Sequence, residues 1–311
     1  MNRHIPIMTR EVIEALRADD PAVKRLIDGT VGGGGHTMAL LRAGVKEALG
    51  IDLDRSALNH AKTRLTQYGK SVRLVQGSYV DMVSLASATS WDTADAILLD
   101  LGLSSLQMDD PARGFSFRFD APLDMRFDSE SGGATAQDLV NGLSAADLAD
   151  LFFRYGEERH ARHIARAIVE ERPISGTRQL AELVARVELG RTRRPARTHP
   201  ATRVFQALRI AVNRELESIE KVVPIAVDLL RPGGRLAIIS FHSLEDRIVK
   251  RSFAKLSTKV TAPPGMASIE ERKAKVRLVN RKPIIPSIEE TGANPRSRSA
   301  KLRVVETLER A

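Results

Sequence analysis

The sequence predicts an α/β protein whose parallel sheet is interrupted by an inserted, mostly helical domain. Three observations predict it. Short β-branched apolar runs alternate with helical patterns over the first hundred residues. A glycine-rich run separates the first of these strands from the helix that follows it. Helical periodicity then replaces the alternation over residues 145 to 194, and strand-like segments return near the carboxyl terminus.

Four strand candidates occur in order before residue 101. They are Arg25–Asp28, Ala48–Asp52, Val72–Val75 and Ala94–Asp100. Helices are expected at Thr37–Ala43 and from Ser56 to Tyr68, so that crossovers connect the strands as in a parallel sheet.

The alternation of strands and helices stops after Leu103, where a polar loop that contains Gly and Phe precedes the helical stretch. It resumes after a helix at Glu215–Leu230, which we expect to stop at Arg231-Pro-Gly-Gly. A core strand is expected at Arg235–His242, and Lys301–Leu308 alternates like an edge strand. We therefore expect one discontinuous domain, residues 1–104 and 215–311, and an inserted domain, residues 105–214, that recognises the substrate.

The Pro- and Lys-rich segment from Thr261 to Ile288 shows little periodicity. We interpret it as a loop or a mobile flap.

Composition excludes several classes of protein. The 311 residues include no Cys, which excludes disulfides, thiolate metal sites and a cysteine nucleophile. No apolar run approaches the ~18 residues of a membrane span, and the charged residues of the first 16 positions are unlike a signal peptide. We expect a cytoplasmic protein.

The net charge of +9 is unevenly distributed along the chain. Residues 151–214 hold 14 Arg against 6 acidic residues, and residues 247–311 hold 16 basic against 6 acidic residues, whereas residues 1–150 are net acidic. The two basic segments favour a polyanionic partner such as nucleic acid. The alternative is a solvated Arg-rich surface.

The segment Asp28-Gly-Thr-Val-Gly-Gly-Gly-Gly-His36 places backbone without side chains between a strand and a helix. Asp52 ends the next strand 17 residues after Gly35, close to the spacing at which an acidic residue binds ribose hydroxyls. Together they indicate an adenosine cofactor in a Rossmann-like sheet. The alternative is a tight glycine turn followed by an N-capping Asp.

The charges of the site residues distinguish between the possible adenosine cofactors. A carboxylate at Asp28 would repel the pyrophosphate of a dinucleotide, whereas Asp28 and Asp100 suit the ammonium and sulfonium of S-adenosylmethionine. The loop also lacks the Lys-Ser/Thr of a triphosphate site. Tyr79, just after the third strand, is placed to pack on the adenine or to fill the core.

Several segments resemble one family closely. They are the glycine run, Leu99-Asp-Leu-Gly-Leu-Ser-Ser105, Arg113-Gly-Phe-Ser-Phe117, Pro122-Leu-Asp-Met-Arg126, His199-Pro-Ala-Thr-Arg203, Ile239-Ser-Phe-His-Ser-Leu-Glu-Asp-Arg247 and Asn294-Pro-Arg-Ser-Arg298. They are similar to segments of the bacterial 16S rRNA cytosine-N4 methyltransferase family, and the match covers nearly the whole chain.

The resemblance implies a class I methyltransferase sheet with an inserted helical domain. It also implies that S-adenosylmethionine methylates N4 of a cytidine in the decoding region of 16S rRNA in the small ribosomal subunit. Matched position by position, it places the cofactor contacts at Gly34, Gly35, His36, Asp52, Tyr79, Asp100 and Gln107. The family commonly has Phe where Tyr79 stands, which keeps the ring.

The residues limit the chemistry independently. Methylation of a pyrimidine at carbon 5 generally needs a thiolate, which this chain lacks, so an acceptor nitrogen or oxygen remains. An exocyclic amine needs acceptors for its protons, and Asp100 with the backbone of Leu101 to Leu103 is placed for that role. Asp100 is therefore the catalytic candidate, with a cofactor or structural contact as its alternative. The Asp/Asn/Ser-Pro-Pro-aromatic motif of many amino-methyltransferases is absent here.

Candidate contacts to substrate RNA follow from side-chain type and place in the chain. The interleaved aromatic and basic residues of one loop could stack a flipped base and hold its phosphates, or could simply plug the fold. The other candidates are a basic cluster, a histidine at the end of the late strand and polar residues before the last one. These candidates are Arg113, Phe115, Phe117 and Arg126; Arg193 and Arg194; His242; and Asn294, Arg296 and Arg298.

No metal site is expected. His160 and His163 are three residues apart on a helix, but the sequence offers no third ligand beside them.

Two other functions stay open from the residues alone. One is an S-adenosylmethionine-dependent enzyme that methylates another nucleic-acid amine, and the other is a non-catalytic rRNA-binding assembly factor.

Overall fold

The computed structural model describes residues 6–130, 132–189, 199–259 and 273–309. The chain divides into two compact units, and each is described by itself. Unit 1 contains Met1–Gly102 and Leu216–Ala311, and unit 2 contains Leu103–Glu215. Within the described residues, no helix is both long and apolar enough to cross a membrane.

Unit 1 is built on one seven-stranded sheet with the strand order β3-β2-β1-β4-β5-β7-β6. The strands β1 to β5 run parallel, and β7 pairs antiparallel with both β5 and β6. The strands are β1 Arg25–Asp28, β2 Glu47–Asp52, β3 Val72–Gln76, β4 Ala94–Asp100, β5 Leu230–Ser240, β6 Val276–Leu278 and β7 Lys301–Thr307. The predicted α/β class and its first four strands are thereby confirmed.

Helices follow the strands through the chain. They are α1 Thr9–Leu16, α2 Gly35–Ala43, α3 Arg55–Leu65, α4 Met82–Ala88, α5 Ser105–Asp109, α6 Ala136–Gly142, α7 Ala145–Gly156, α8 Ala161–Glu170, α9 Thr177–Leu189, α10 Thr202–Asn213, α11 Glu215–Leu229, α12 Ser243–Ser257 and α13 Ile288–Ala293.

Alternate residues of the central strands enter two apolar cores, because successive side chains of a strand point to opposite faces. Ile97 and Leu99 of β4 join one core with residues of α4, α11 and α12. Ala96 and Leu98 join the other with residues of α1, α2 and α3. The sheet is therefore covered on both faces, which leaves the carboxyl ends of its parallel strands as the usual place for a ligand.

Unit 2 has its own apolar core. Leu148, Phe152, Ile164 and Leu180 are among its buried residues, and they come from α7, α8 and α9. The helical pattern predicted between residues 145 and 194 is found in these three helices up to Leu189.

The carboxyl-terminal half of the sheet differs from the prediction. The helix α11 ends at Leu229, within one residue of its predicted end. However, β5 begins at Leu230, five residues earlier than expected, and includes Arg231-Pro-Gly-Gly. The strand ends at Ser240, so His242 lies beyond it and forms the N-cap of α12. The prediction of β7 as an edge strand was wrong, since β6 pairs along its outer side.

The short strand β6 falls inside the segment predicted to be a loop or flap. Its three residues are too few to give a readable alternation. Residues 261–272 of that segment lie outside the described residues.

Candidate active site

Three acidic residues end neighbouring parallel strands at one edge of the sheet of unit 1. Asp28 ends β1, Asp52 ends β2 and Asp100 ends β4. The glycine run joins β1 to α2 at this edge, and Gly32 and Gly34 have φ angles of 51° and 75°. Only glycine adopts such angles readily, so the loop keeps its backbone close to the strand ends.

The loop is packed from the outside at Gly34, the residue before α2. A Cβ there would lie 3.0 Å from Cδ1 of Leu65 and 3.3 Å from Cα of Ala61, both on α3. A Cβ on Gly32 would meet only the carbonyl oxygen of Thr30, 3.8 Å away. The loop is thus closed against α3 at Gly34 and open at Gly32.

Asp52 holds the loop in this position. Its Oδ2 accepts the N–H of Gly32 at 2.8 Å, and its Oδ1 accepts the N–H of Asp54 at 2.9 Å. Burial raises the pKa of Asp52 to about 6, although these two hydrogen bonds act in the opposite direction. The carboxylate therefore lies against the glycine loop, while the residue as a whole is partly exposed.

Asp28 is used differently. It is 1% exposed, and its Oδ2 accepts a 2.6 Å hydrogen bond from the hydroxyl of Thr37 on α2. Burial raises the pKa of Asp28 despite this bond. The direct contact to an ammonium that charge suggested for Asp28 is not supported, since the carboxylate is turned into the protein and joins β1 to α2.

His36 and Asp100 meet at the same edge. Nε2 of His36 lies 3.4 Å from Oδ2 of Asp100, and the N–H of Asp100 donates to Oγ1 of Thr30 at 2.6 Å. Among the described residues, no hydrogen-bond partner is found for either ring nitrogen of His36 or for Oδ1 of Asp100, although all three atoms are buried. Buried polar atoms of this kind normally have a partner, so their arrangement fits a polar ligand.

The charge of His36 depends on its acidic neighbours. Burial lowers the pKa of His36, but Asp100, Asp28 and Glu290 together outweigh burial, so the pKa is raised overall. The protonated form of His36 is thereby favoured.

Tyr79 begins a short 3₁₀ helix after β3 and is partly buried against the core. Its Cβ lies 3.1 Å from the place where a Cβ on Gly29 would stand. Tyr79 is therefore beside the start of the glycine loop. This position is compatible with packing on the adenine and with filling the core.

His242 lies beyond β5, the neighbour of β4 in the sheet. Its Nε2 is 3.1 Å from Oε1 of Glu245, a buried residue whose Oε2 also accepts the N–H of Phe241 at 2.8 Å. Since Asp100 pairs with Ile239 of β5, His242 lies three residues past the level of Asp100 and two residues past the end of that strand.

The polar residues before the last strand are mostly at the surface. Asn294 ends α13 and precedes a 3₁₀ helix, in which Arg296 and Arg298 are exposed.

The predicted site residues of unit 2 that the structure describes have partners within that unit. Gln107 is buried, and its side chain and backbone complete a capping box with Ser104 at the start of α5. Nη2 of Arg113 donates to the carbonyl oxygens of Arg126 and Phe127, both at 2.8 Å. These bonds close the loop on itself.

The remaining loop candidates are also held internally. Arg126 binds both oxygens of Asp124, at 2.9 and 2.6 Å. Phe115 belongs to the core of the unit, and the ring of Phe117 lies 4.6 Å from that of His199. These contacts favour the alternative in which the aromatic residues fill the fold. Roles in RNA binding for these residues stay predictions.

Arg193 and Arg194 lie outside the described residues. His160 has two acidic neighbours that the sequence did not reveal: its Nδ1 is 2.7 Å from Oε1 of Glu188, and its N–H donates to Glu158. Their ligand atoms lie within 4.8 Å of one another, but these hydrogen bonds already explain the arrangement.

Sequence reasoning missed three residues of the site in unit 1. Thr30 and Thr37 bond to Asp100 and Asp28, and Glu290 accepts the N–H of Met8 at 2.6 Å while it acts on the charge of His36. The two threonines lie in or next to the glycine-rich segment, so their position in the sequence could have identified them. Glu290 is over 250 positions away from His36 in the chain, and no sequence pattern connects the two.

A glycine loop between β1 and α2, an acidic residue at the end of β2 and carboxylates at the strand ends define an α/β methyltransferase. The particular family follows from comparison with known proteins. The chain belongs to the MraW methylase family, whose model matches residues 1–308. It is an enzyme, a methyltransferase that uses S-adenosylmethionine.

Relatives include three proteins named "Ribosomal RNA small subunit methyltransferase H". The one from Syntrophotalea carbinolica is 49% identical, over 98% of each chain. That from Solidesulfovibrio magneticus is 47% identical, over 98% of this chain and 95% of the relative. That from Syntrophobacter fumaroxidans is 47% identical, over 97% and 96%.

Proposed function

We propose that this chain transfers the methyl group of S-adenosylmethionine to N4 of a cytidine in the decoding region of 16S rRNA in the small ribosomal subunit. The observation that carries the proposal is the Asp52 carboxylate, bonded to Gly32 N–H in the open part of the glycine loop. The name of the relatives supports rRNA as the acceptor.

The residues at the edge of the sheet fit the cofactor. Gly32 leaves space beside its backbone, the buried ring nitrogens of His36 have no hydrogen-bond partner among the described residues, and the strand ends carry carboxylates rather than phosphate-binding cations. When bound, S-adenosylmethionine supplies a methyl group that its sulfonium makes electrophilic. The residues proposed to hold it are Gly34, Gly35, His36, Asp52, Tyr79, Asp100 and Gln107.

Asp52 is assigned to the ribose. A carboxylate accepts hydrogen bonds from both hydroxyls of a ribose, and Asp52 is fixed for this by the N–H groups of Gly32 and Asp54. The fixed carboxylate loses little entropy on binding, because its orientation is set before the ligand arrives.

Asp100 is assigned to the target amine. The lone pair of an exocyclic amine is delocalised into the ring, so the nitrogen becomes a better nucleophile when an acceptor holds its proton. Oδ1 of Asp100 is a buried acceptor without a partner in the described residues. It is proposed to hold and then take the N4 proton.

His36 is proposed to orient that acceptor. Its Nε2 lies 3.4 Å from Oδ2 of Asp100, which leaves Oδ1 for the N4 proton. His242 follows the adjacent strand and is proposed to contact the target base. Asn294, Arg296, Arg298, Arg193 and Arg194 are proposed to contact the RNA around it.

The test is a methyl-transfer assay with an identified product. The purified protein is incubated with methyl-labelled S-adenosylmethionine and small subunits that lack the modification, and the labelled nucleoside is identified by mass spectrometry. The proposal expects N4-methylcytidine, and less of it with Asp52→Ala when the cofactor concentration is limiting. Label in another nucleoside would overturn the acceptor. Absence of label from the wild type, with the cofactor bound, would favour the assembly-factor alternative.

A further inference from the structure

Unit 2 exposes a row of arginines that none of the assignments above uses. Arg159 precedes α8, and Arg162 and Arg166 lie four residues apart on the exposed side of that helix. Over the described ranges, the side chains of these three residues make no ion pair and no hydrogen bond. We call Arg159, Arg162 and Arg166 the α8 stripe.

Nearby carboxylates are bonded to other groups. Oε1 of Glu158 accepts the N–H of His160, and Oε1 of Glu188 lies 2.7 Å from Nδ1 of the same His. Acidic residues of the neighbouring helix α7 and of the segment after α8 are paired with other arginines: Asp150 with Arg154, and Glu171 with Arg186. Glu170 lies one turn after Arg166 on α8 itself. No ion pair joins Glu170 or any other described carboxylate to an arginine of the stripe.

The stability of α8 does not explain the stripe. Cations four residues apart on a helix repel each other, and a cation in the first turn is opposed by the positive end of the helix dipole. α8 has no acidic residue in its first turn and carries Arg162 there, whereas α7 has Asp147 at its start. The apolar side of α8, with Ile164 and Ile168, already anchors the helix in the core.

We propose that the α8 stripe binds phosphates of the rRNA substrate, an inference that rests on the proposed function. Guanidinium groups pair with phosphates in a planar, bidentate geometry, and two arginines one turn apart, about 6 Å along the axis, can reach different phosphates. Such contacts are independent of sequence, so the stripe contributes affinity and orientation while the choice of base belongs to the active site. The α8 stripe belongs to the basic segment 151–214 and lies within the described residues.

The experiment compares two double variants that remove the same charge from the same unit. The stripe variant is Arg162→Gln with Arg166→Gln. The matched control is Arg154→Gln with Arg186→Gln, whose arginines are exposed but engaged with Asp150 and Glu171. Binding of small-subunit rRNA is measured over a series of salt concentrations, together with binding of S-adenosylhomocysteine and thermal unfolding.

The stripe variant is expected to bind the RNA about tenfold more weakly and to reduce the slope of log K against log salt by about 1 to 2, since each lost phosphate contact removes roughly 0.7 to 0.9. The control variant is expected to keep the wild-type slope. Both should bind S-adenosylhomocysteine and unfold like the wild type. The pair Arg162→Lys with Arg166→Lys, which keeps the charge, should retain most of the slope.

The outcomes distinguish a failure of the α8 stripe assignment from a failure of the proposed function. If the wild type methylates the RNA and the stripe variant keeps its slope and affinity, the stripe assignment is wrong and the proposed function stands. If the control variant flattens the slope equally, total charge rather than the stripe is responsible, which also overturns the assignment. If the wild type transfers no methyl group to this RNA, the proposed function itself fails.

Discussion

Nε2 of His36, in the first turn of α2, lies 3.4 Å from Oδ2 of Asp100 at the end of β4. The contact joins the helix that carries the glycine loop to the strand that carries the catalytic candidate. Because Oδ1 of Asp100 has no hydrogen-bond partner in the described part of the chain, one carboxylate oxygen lies beside His36 and the other remains available as an acceptor. This arrangement fits the proposed role of Asp100 as the acceptor of a substrate proton.

The first prediction concerns the charge of His36. Burial lowers its pKa, but Asp100, together with Asp28 and Glu290, outweighs burial and raises the pKa above the ordinary 6.5. Asp100→Asn removes the dominant negative charge, so the pKa of His36 should fall well below that of the wild type. NMR titration of the imidazole resonances measures it, with Asp54→Asn as a control that leaves His36 unchanged. An equal pKa in wild type and Asp100→Asn would show that the pair is not electrostatically coupled.

The second prediction concerns Asp52. Asp52→Ala removes the acceptor assigned to the ribose and leaves the N–H groups of Gly32 and Asp54 without their bonds. A hydrogen bond to a charged group contributes about 1.5–3 kcal/mol, so affinity for S-adenosylhomocysteine should fall by roughly 10- to 100-fold. Calorimetric titration measures it, and RNA affinity serves as the control. A variant that loses RNA affinity as strongly as cofactor affinity would contradict the assignment.

The third prediction is the pH dependence of cofactor binding. The pKa of Asp52 is raised by burial to about 6, and the ionised carboxylate is the better acceptor. Affinity should therefore decline as the pH falls through 6, and this component should be missing in Asp52→Asn. Titrations of both proteins between about pH 5 and about pH 8 measure it. The same pH dependence in the two proteins would assign the titration to another group.

The same shift has the opposite sign for folding. The folded-state pKa of about 6 exceeds the ordinary 3.8, so the folded protein holds this proton more tightly than the unfolded chain. The stabilisation from Asp52 is present below pH 3.8 and is lost as the pH rises to 6. The cofactor-free protein thus loses stability over the range in which the site gains affinity.

The fourth prediction tests the packing of the glycine loop. Gly34→Ala places a methyl group in a left-handed conformation, 3.0 Å from Leu65 and 3.3 Å from the backbone of Ala61. Gly233, with φ 77°, has no atom within 4 Å of a Cβ, so Gly233→Ala meets only the backbone strain of about 1–2 kcal/mol. Gly34→Ala should unfold at lower urea concentration than Gly233→Ala and bind S-adenosylhomocysteine less tightly. Equal unfolding midpoints would mean that α3 does not fix the loop.

The sequence predicted the part of the fold that local patterns specify. The strands β1 to β4 are apolar runs bounded by turns, and Asp28, Asp52 and Asp100 could be placed at their carboxyl ends because parallel strands share an edge. The place of β7 in the sheet could not be predicted, because it depends on its pairing with β6, a strand of three residues.

Side-chain partners distant in sequence were the other limit. The bond of Arg113 to the carbonyl oxygens of Arg126 and Phe127 forms only when the loop folds back on itself. For the same reason Glu290 could not be connected with His36. The patterns identified which residues carry chemistry, while their partners depended on the tertiary fold.

The most direct test of the cofactor site is a crystal structure of the chain with S-adenosylhomocysteine bound. Ribose hydroxyls are expected within about 3.2 Å of the Asp52 carboxylate oxygens, beside the backbone of the glycine loop. A ribose bound elsewhere, with Asp52 bonded only to the N–H groups of Gly32 and Asp54, would contradict this expectation.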